Sequence, residues 1–381
     1  MAKKRKLSLL ERKKYIDLRR NFPKPVIGIT GNLGKTSTLE MIRTILAYTG
    51  KVLKNPRGYG SWKNNIATLE KLTPAYDYAL FEFDYKRGNH FAEILRLIKP
   101  SVGIVTNIGD AHLNYLSKMM QVALEKSSVI KYLTRDGVAI LNKDDELTAS
   151  LTEFVSSKNI IKFGLSDSAD YFATDVQLLG PKGIKLKLNG QFPATLPFYS
   201  IQDVYNFLAA VACTRSLGFS FENILEVFEN NFHPPAGHGR LHKIGQYYFL
   251  DESYLATPRC LSKAARAMVS FKSYSSDIYF VIGDMVGAGI NVEEQHLNMG
   301  YFLSALPIKN IITVGEYAHF IAKGAAIIAG DKKNIYTVNN TNEILDVLDQ
   351  NLTRKAVIGV KGVGSITAHR ILRFLENRHT T

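Results

Sequence analysis

The stretch that most constrains this chain is Val26-Ile-Gly-Ile-Thr30-Gly31-Asn32-Leu-Gly34-Lys35-Thr36-Ser37-Thr38. A short apolar run reads as a buried strand, a glycine-rich turn follows, and a helical pattern then continues to about Thr49. Strand, tight turn and helix in that order aim backbone N–H groups and the positive end of a helix at one point, which suits a phosphate. Lys35 would reach the β- and γ-phosphates of ATP, and the Thr36 hydroxyl would bind magnesium. Gly31, Asn32, Gly34 and Ser37 complete the expected nucleotide contacts. The generic loop has a glycine five residues before Gly34, where Ile29 stands, so the match is to a variant, TGxxGKT. A glycine turn of no function is the alternative.

The rest of the chain repeats an α/β rhythm. Tyr78–Phe83, Val102–Asn107 and Val138–Leu141 read as buried strands, and Gln121–Leu133 as one helix. Such alternation implies a mainly parallel sheet covered on both faces. Residues 165–200 carry shorter alternating stretches, Gly183–Leu188 among them, which suggest a small β excursion before a helix at about Val204–Leu217. The run HPPAGHG at 233–239 reads as a domain boundary. Beyond it the rhythm restarts with strands at Tyr247–Leu250, Ile278–Ile282, Asn310–Val314 and Ala356–Val360. The expected organisation is a basic arm (1–25), a central ATP-binding domain (26–234) and a C-terminal Rossmann-like α/β domain (235–381).

Charge is concentrated at the start. The first 25 residues hold ten basic and two acidic side chains, +8 of the net +14. With little excess left for the body, a nucleic-acid footprint is not expected. Ser8 and Glu11 predict a capped helix over residues 7–22, stopped by Pro23 and Pro25. That helix is read either as docked with a solvated basic face or as a contact for an anionic surface or acidic partner. Two distant cysteines, Cys213 and Cys260, give no zinc module and no disulfide framework. No apolar run reaches the length of a membrane span or a signal peptide, so a cytoplasmic protein is expected.

Three further residues stand out. Glu82 ends a strand beside the loop, where an acid could hold magnesium; strand ends also carry solvated acids. His112 follows a strand in VTNIGDAHL and reads as a metal or phosphate contact, or equally as a hydrogen-bonded structural histidine. Lys126, in LEKS, reads on its own as a helix-surface lysine.

Taken together, TGNLGKTST, the acid of FEF, VTNIGDAHL, LEKS and GVAILNKDD resemble the Mur ligase family in order and spacing, over about residues 26–375. GYGSWKNN (58–65), VYNFLAA, GRL, DESY with Pro258, IGDM and VKG add to the match. Within the family the resemblance is strongest to the branch that adds D-Ala-D-Ala to the peptidoglycan precursor.

The resemblance implies an ATP-dependent ligase that activates a carboxylate as an acyl phosphate and joins it to an amine. It implies two magnesium ions, one held by Thr36 and Glu82 and a second by His112 and a carbamate formed on Lys126. It places Asn206 and Arg240 around the adenine and the phosphates, and Asp251 or Glu252 on the ribose. The implied partners are small-molecule or peptide carboxylates and amines.

Departures bear on the substrate. The family's separate N-terminal domain for the UDP-sugar has no counterpart in these residues, where only the basic arm precedes Val26. The family's GxHNxxN run is Ser200-Ile-Gln202-Asp203-Val-Tyr-Asn206, its YNANP is Tyr254-Leu-Ala-Thr-Pro258, and Asp84 replaces a glycine. A non-peptidoglycan acceptor, a subunit of a larger amidating enzyme and a non-catalytic nucleotide binder are the remaining alternatives.

Overall fold

A computed structural model describes residues 7–56, 60–84, 91–108, 116–286 and 291–380. Among the described residues, fifteen strands form two sheets. The first contains β1 (Val26–Thr30), β2 (Val52–Lys54), β3 (Tyr78–Glu82), β4 (Val102–Val105), β5 (Val138–Asn142), β6 (Asn159–Gly164), β7 (Tyr171–Leu178), β8 (Ile184–Leu188) and β9 (Phe192–Leu196). Their order is β2-β3-β1-β4-β5-β6-β7-β8-β9, parallel as far as β7 and antiparallel from β7 to β9.

The second sheet contains β10 (Arg240–Ile244), β11 (Tyr247–Glu252), β12 (Ile278–Ile282), β13 (Asn310–Val314), β14 (Asn334–Val338) and β15 (Val357–Lys361). Its order is β10-β11-β15-β12-β13-β14, parallel except for the β10–β11 hairpin. The expected architecture, a mainly parallel sheet beside a second α/β layer system, is the one observed.

Burial explains the parallel cores. All five residues of β1, β12 and β15 are buried, as strands covered on both faces require. β8 instead alternates buried and exposed positions, because its antiparallel sheet is covered on one face. One face of the first sheet packs the Lys35–Leu46 and Ile201–Ser216 helices through Ile27, Ile42, Leu208 and their neighbours. The other packs the Phe91–Ile98 helix and the N-terminal helix, through Phe81, Ile94, Tyr15 and Phe22.

The N-terminal helix runs Leu9–Arg20, with Ser8 and Glu11 forming the full reciprocal cap. Tyr15 and Phe22 are buried, and Arg19 donates to the carbonyls of Ile98 and Lys99. The arm is thus a helix fixed to the first lobe. The stretch expected as one helix at 121–133 is two, Leu116–Lys126 and Ser128–Lys131.

Candidate active site

The phosphate loop leaves β1 at Thr30 and enters the Lys35–Leu46 helix through two glycines with positive φ, Gly31 (150°) and Gly34 (81°). Neither position has room for a side chain. A Cβ on Gly31 would lie 1.9 Å from Thr106 Oγ1, and one on Gly34 1.9 Å from Asn206 Oδ1. The turn is pinned from β4: the Leu33 N–H donates to Asn107 Oδ1 (3.0 Å), the Asn32 N–H to the Asn107 carbonyl (3.0 Å), and Thr106 Oγ1 to the Leu33 carbonyl (2.7 Å). Side chains thereby fix the backbone that would face a phosphate.

Four expected residues meet here. Lys35 Nζ donates to the Gly31 carbonyl (3.1 Å) and lies 3.1 Å from Asp84 Oδ1. Thr36 Oγ1 donates to Glu82 Oε2 (2.9 Å). Lys126, expected on its own residues to be solvated, is buried at 4% exposure, with Nζ donating to the same Gly31 carbonyl (3.0 Å). Burial, reinforced by the Lys35 charge, brings the Lys126 amine down to about 7. Burial pushes Lys35 down too, but Asp84 and Glu82 outweigh it and hold that ammonium above its ordinary value. Burial raises the Glu82 carboxyl above its usual range, against the pull of Lys35. His112 lies outside the described residues.

Behind Glu82 stands an amide network that joins Gly60 and Asn65 of the GYGSWKNN run to Asn55, which sequence reasoning did not find. Asn55 accepts from the Glu82 N–H (3.0 Å) and donates to its carbonyl (3.1 Å), extending the β2–β3 ladder with a side chain. It also donates to Asn65 Oδ1 (3.1 Å), and Asn65 in turn donates to the Gly60 carbonyl (3.2 Å). The Gly60 N–H donates to Asp84 Oδ2 (3.2 Å), which closes the loop onto the site.

The loop opens into a cavity of about 360 Å³ whose opposite wall comes from the second lobe: Glu252 and Lys361 on strands of its sheet, His238 in the turn before β10, and Thr257 and Lys263 from the Pro258–Ser270 helix and its cap. Asn206 and Gln202 line it from the Ile201–Ser216 helix, with Gln202 Nε2 donating to Asn206 Oδ1 (3.3 Å). Glu252 is gripped by Lys361 (3.2 Å) and Lys263 (3.5 Å). Burial works to raise its carboxyl, but Lys263, Lys361 and His238 prevail and hold it at about 2. Lys263 also pairs with Asp203 (3.1 Å), so the ion relay crosses between lobes.

Asp251 and Arg240 do not join this group. They line a neighbouring cavity of about 780 Å³ that shares Tyr254 and Leu255 with the first. The Asp251 carboxylate accepts from the Gly237 (2.8 Å) and Ser253 (3.0 Å) N–H groups, shaping the 237–239 turn.

The residues fit the groups expected. Thr36 and Glu82 form the all-oxygen pair that magnesium prefers alongside phosphate, and the glycine turn leaves the cradle that phosphates fill. Among the described residues no cluster of three His, Cys, Asp or Glu side chains could hold a metal without such a partner.

Comparison with known proteins agrees. Residues 29–214 match the Mur ligase middle domain. The chain carries that domain of the Mur ligases. It is therefore an ATP-dependent ligase that forms amide bonds. Among curated members, the UDP-N-acetylmuramoyl-tripeptide–D-alanyl-D-alanine ligase of Escherichia coli K12 is 28% identical over 373 residues, 95% of this chain and 79% of that enzyme. The enzyme of the same description from Synechocystis is 29% identical, over 62% of this chain and 50% of its own. MurF of Acinetobacter baumannii superposes with a TM-score of 0.83 at 25% identity, covering 96% of this chain and 80% of that one. The fold also matches MurF of Thermotoga maritima in complex with ADP, with a TM-score of 0.80 at 19% identity over 100% of this chain and 87% of that one.

Proposed function

We propose that this ligase activates a peptide carboxylate with ATP and couples it to the amine of a short D-alanyl acceptor, the step after which its curated relatives are named. The observation that carries the reading is the single cavity in which Lys35, Thr36 and Glu82 from the first lobe face Glu252, His238 and Lys361 from the second. Residues 26–234 and 235–381 are, on this reading, two units that close on the cavity and exclude water from the activated acyl group. The need for ATP puts the reaction in the cytoplasm.

Each side chain has a task in that reaction. Lys35 neutralises charge on the transferring phosphoryl group, where catalysis is mostly positioning. Thr36 and Glu82 hold magnesium, which when bound neutralises phosphate charge. The neutral Lys126 amine is nucleophilic enough to take up CO₂, forming a C–N bond and releasing one proton; the resulting carbamate is an anion that, with His112, suits a second magnesium ion. Glu252 offers an anionic acceptor to hydroxyls of the nucleotide or to the incoming amine. Asp203, bound to Lys263 where the family's run carries Asn, favours a second reading in which the acceptor lies outside peptidoglycan synthesis.

A screen of carboxylate and amine pairs, following ADP release and the mass of the condensed product, tests the reading. ADP release that needs both partners, with a product at the mass of the amide, is expected. ADP release indifferent to both would reduce the chain to a nucleotide hydrolase.

A further inference from the structure

The Leu9–Arg20 helix is held to the body by one side only. Tyr15 and Phe22 enter the core, Arg12 pairs with Glu93 (2.6 Å), Lys14 with Glu70 (3.0 Å), and Arg19 binds carbonyls. These contacts fix which stripe faces out. Positions 9, 13, 16 and 20 follow the i, i+4, i+7, i+11 spacing of a single helix face. They are Leu9, Lys13, Ile16 and Arg20, with Leu10 alongside.

The exposures on that stripe are unusual. Leu9 is 87% and Leu10 81% exposed, the two largest values among the large hydrophobic side chains of the described residues, and Ile16 is 44% exposed. The body already takes Tyr15, Leu18 and Phe22 from this segment, so Leu9 and Leu10 left in water are not what a purely internal brace requires. Asp17, on the flank of the face, lies 3.9 Å from Arg20. Lys13 is exposed and enters no ion pair among the described residues. In sequence, the tetrad Lys3-Lys4-Arg5-Lys6 joins directly onto Leu7.

We propose that the outward face of this helix docks on an anionic lipid bilayer, its leucines entering the headgroup–acyl boundary and its basic residues meeting lipid phosphates. Charge alone fits any polyanion. The leucine pair selects the bilayer, because an acidic polymer offers nothing apolar to bury them, whereas a bilayer supplies both an anionic surface and an apolar phase. Lysine and arginine stems beside leucine suit that boundary, since they lie along apolar surface with the charge in water. Arg12 meets Glu93 in the first turn of the helix that follows β3, so the leucine end of the helix lies toward the end of the sheet that carries Glu82. Docking would therefore hold the catalytic end of the first lobe beside the bilayer.

The full chain is sedimented with vesicles of phosphatidylcholine alone and of phosphatidylcholine mixed with phosphatidylglycerol, at low and high salt. Binding is expected only with phosphatidylglycerol, weakening as salt screens the charges. The double variant Leu9→Ala/Leu10→Ala, whose side chains are in water, should keep its circular dichroism and melting temperature and lose vesicle partitioning by roughly tenfold or more. Absence of binding to the anionic vesicles overturns the proposal, and so does a double variant that partitions like the parent. Polyglutamate captured by the parent, with vesicle binding unchanged in the double variant, would assign the face to an acidic polymer and likewise overturn it.

Discussion

Two lysines reach one oxygen. Lys35 and Lys126 both donate to the Gly31 carbonyl, at 3.1 and 3.0 Å, and two ammonium ions that close repel unless one gives up its proton or a carboxylate intervenes. Asp84 serves Lys35, and burial lowers Lys126 to about 7. Replacing Lys35 with alanine should cut turnover by roughly two to three orders of magnitude, the usual loss for one charge-stabilising donor, with the circular dichroism spectrum unchanged. Lys126→Ala should be inactive and recover in part with a short carboxylic acid at high concentration; full activity without the acid would refute the carbamate. Asp84 occupies the ammonium that a phosphate would need. Asp84→Asn should therefore lower KM for ATP severalfold with a smaller change in kcat, and an unchanged KM would show that the pair offers nucleotide no competition.

At the scale of elements, legibility followed locality. The β1–turn–helix unit could be read because its glycines, lysine and threonine act on backbone within a few residues. The Ser8–Glu11 cap was legible for the same reason. Gly34→Ala puts a side chain on a left-handed residue 1.9 Å from Asn206 Oδ1, so ATP binding by calorimetry should fall below detection while the rest of the lobe stays folded. Other elements escaped. β2 has three residues and lies at the sheet edge, too short for any period to register. β11 continues two residues beyond the expected Leu250, into Asp251 and Glu252, because Glu252 lies in register opposite Lys361 on β15. Hydropathy stops a strand at such acids; a cross-strand cation lets it continue. The helix break near Ser127 and the burial of Lys126 depend on where Gly31 lies, 95 residues earlier. His238, read only as part of a boundary turn, and Lys263, on a helix without a motif, join the cavity through partners in the other lobe or on other strands.

The whole molecule is tied by its buried charges. Glu252 is held at about 2 against an ordinary 4.5, despite burial, by Lys263, Lys361 and His238. A carboxylate with a depressed pKa stabilises the fold fully above 4.5 and loses that contribution as pH falls toward 2. The melting temperature of Glu252→Gln should accordingly vary less than the parent's between those values, and parallel curves would exclude Glu252 as the acid-sensitive group. His238 acts at higher pH: burial lowers it to about 4 against the pull of Glu252, so the fold loses stability as pH falls from 6.5 toward 4.

The relay from Ser200 through Asp203, Lys263 and Glu252 to Lys361 joins a helix of the first sheet's layer to two strands of the second. Its charges are largely buried, and parting the lobes strands Asp203 from Lys263 while Glu252 keeps both its lysines. Removing one partner of a buried ion pair costs about 3–5 kcal/mol, a large fraction of what holds a domain folded. In scanning calorimetry the two lobes should therefore absorb heat as one peak. Lys263→Met, which leaves each sheet and its own apolar core intact, should resolve that peak into two.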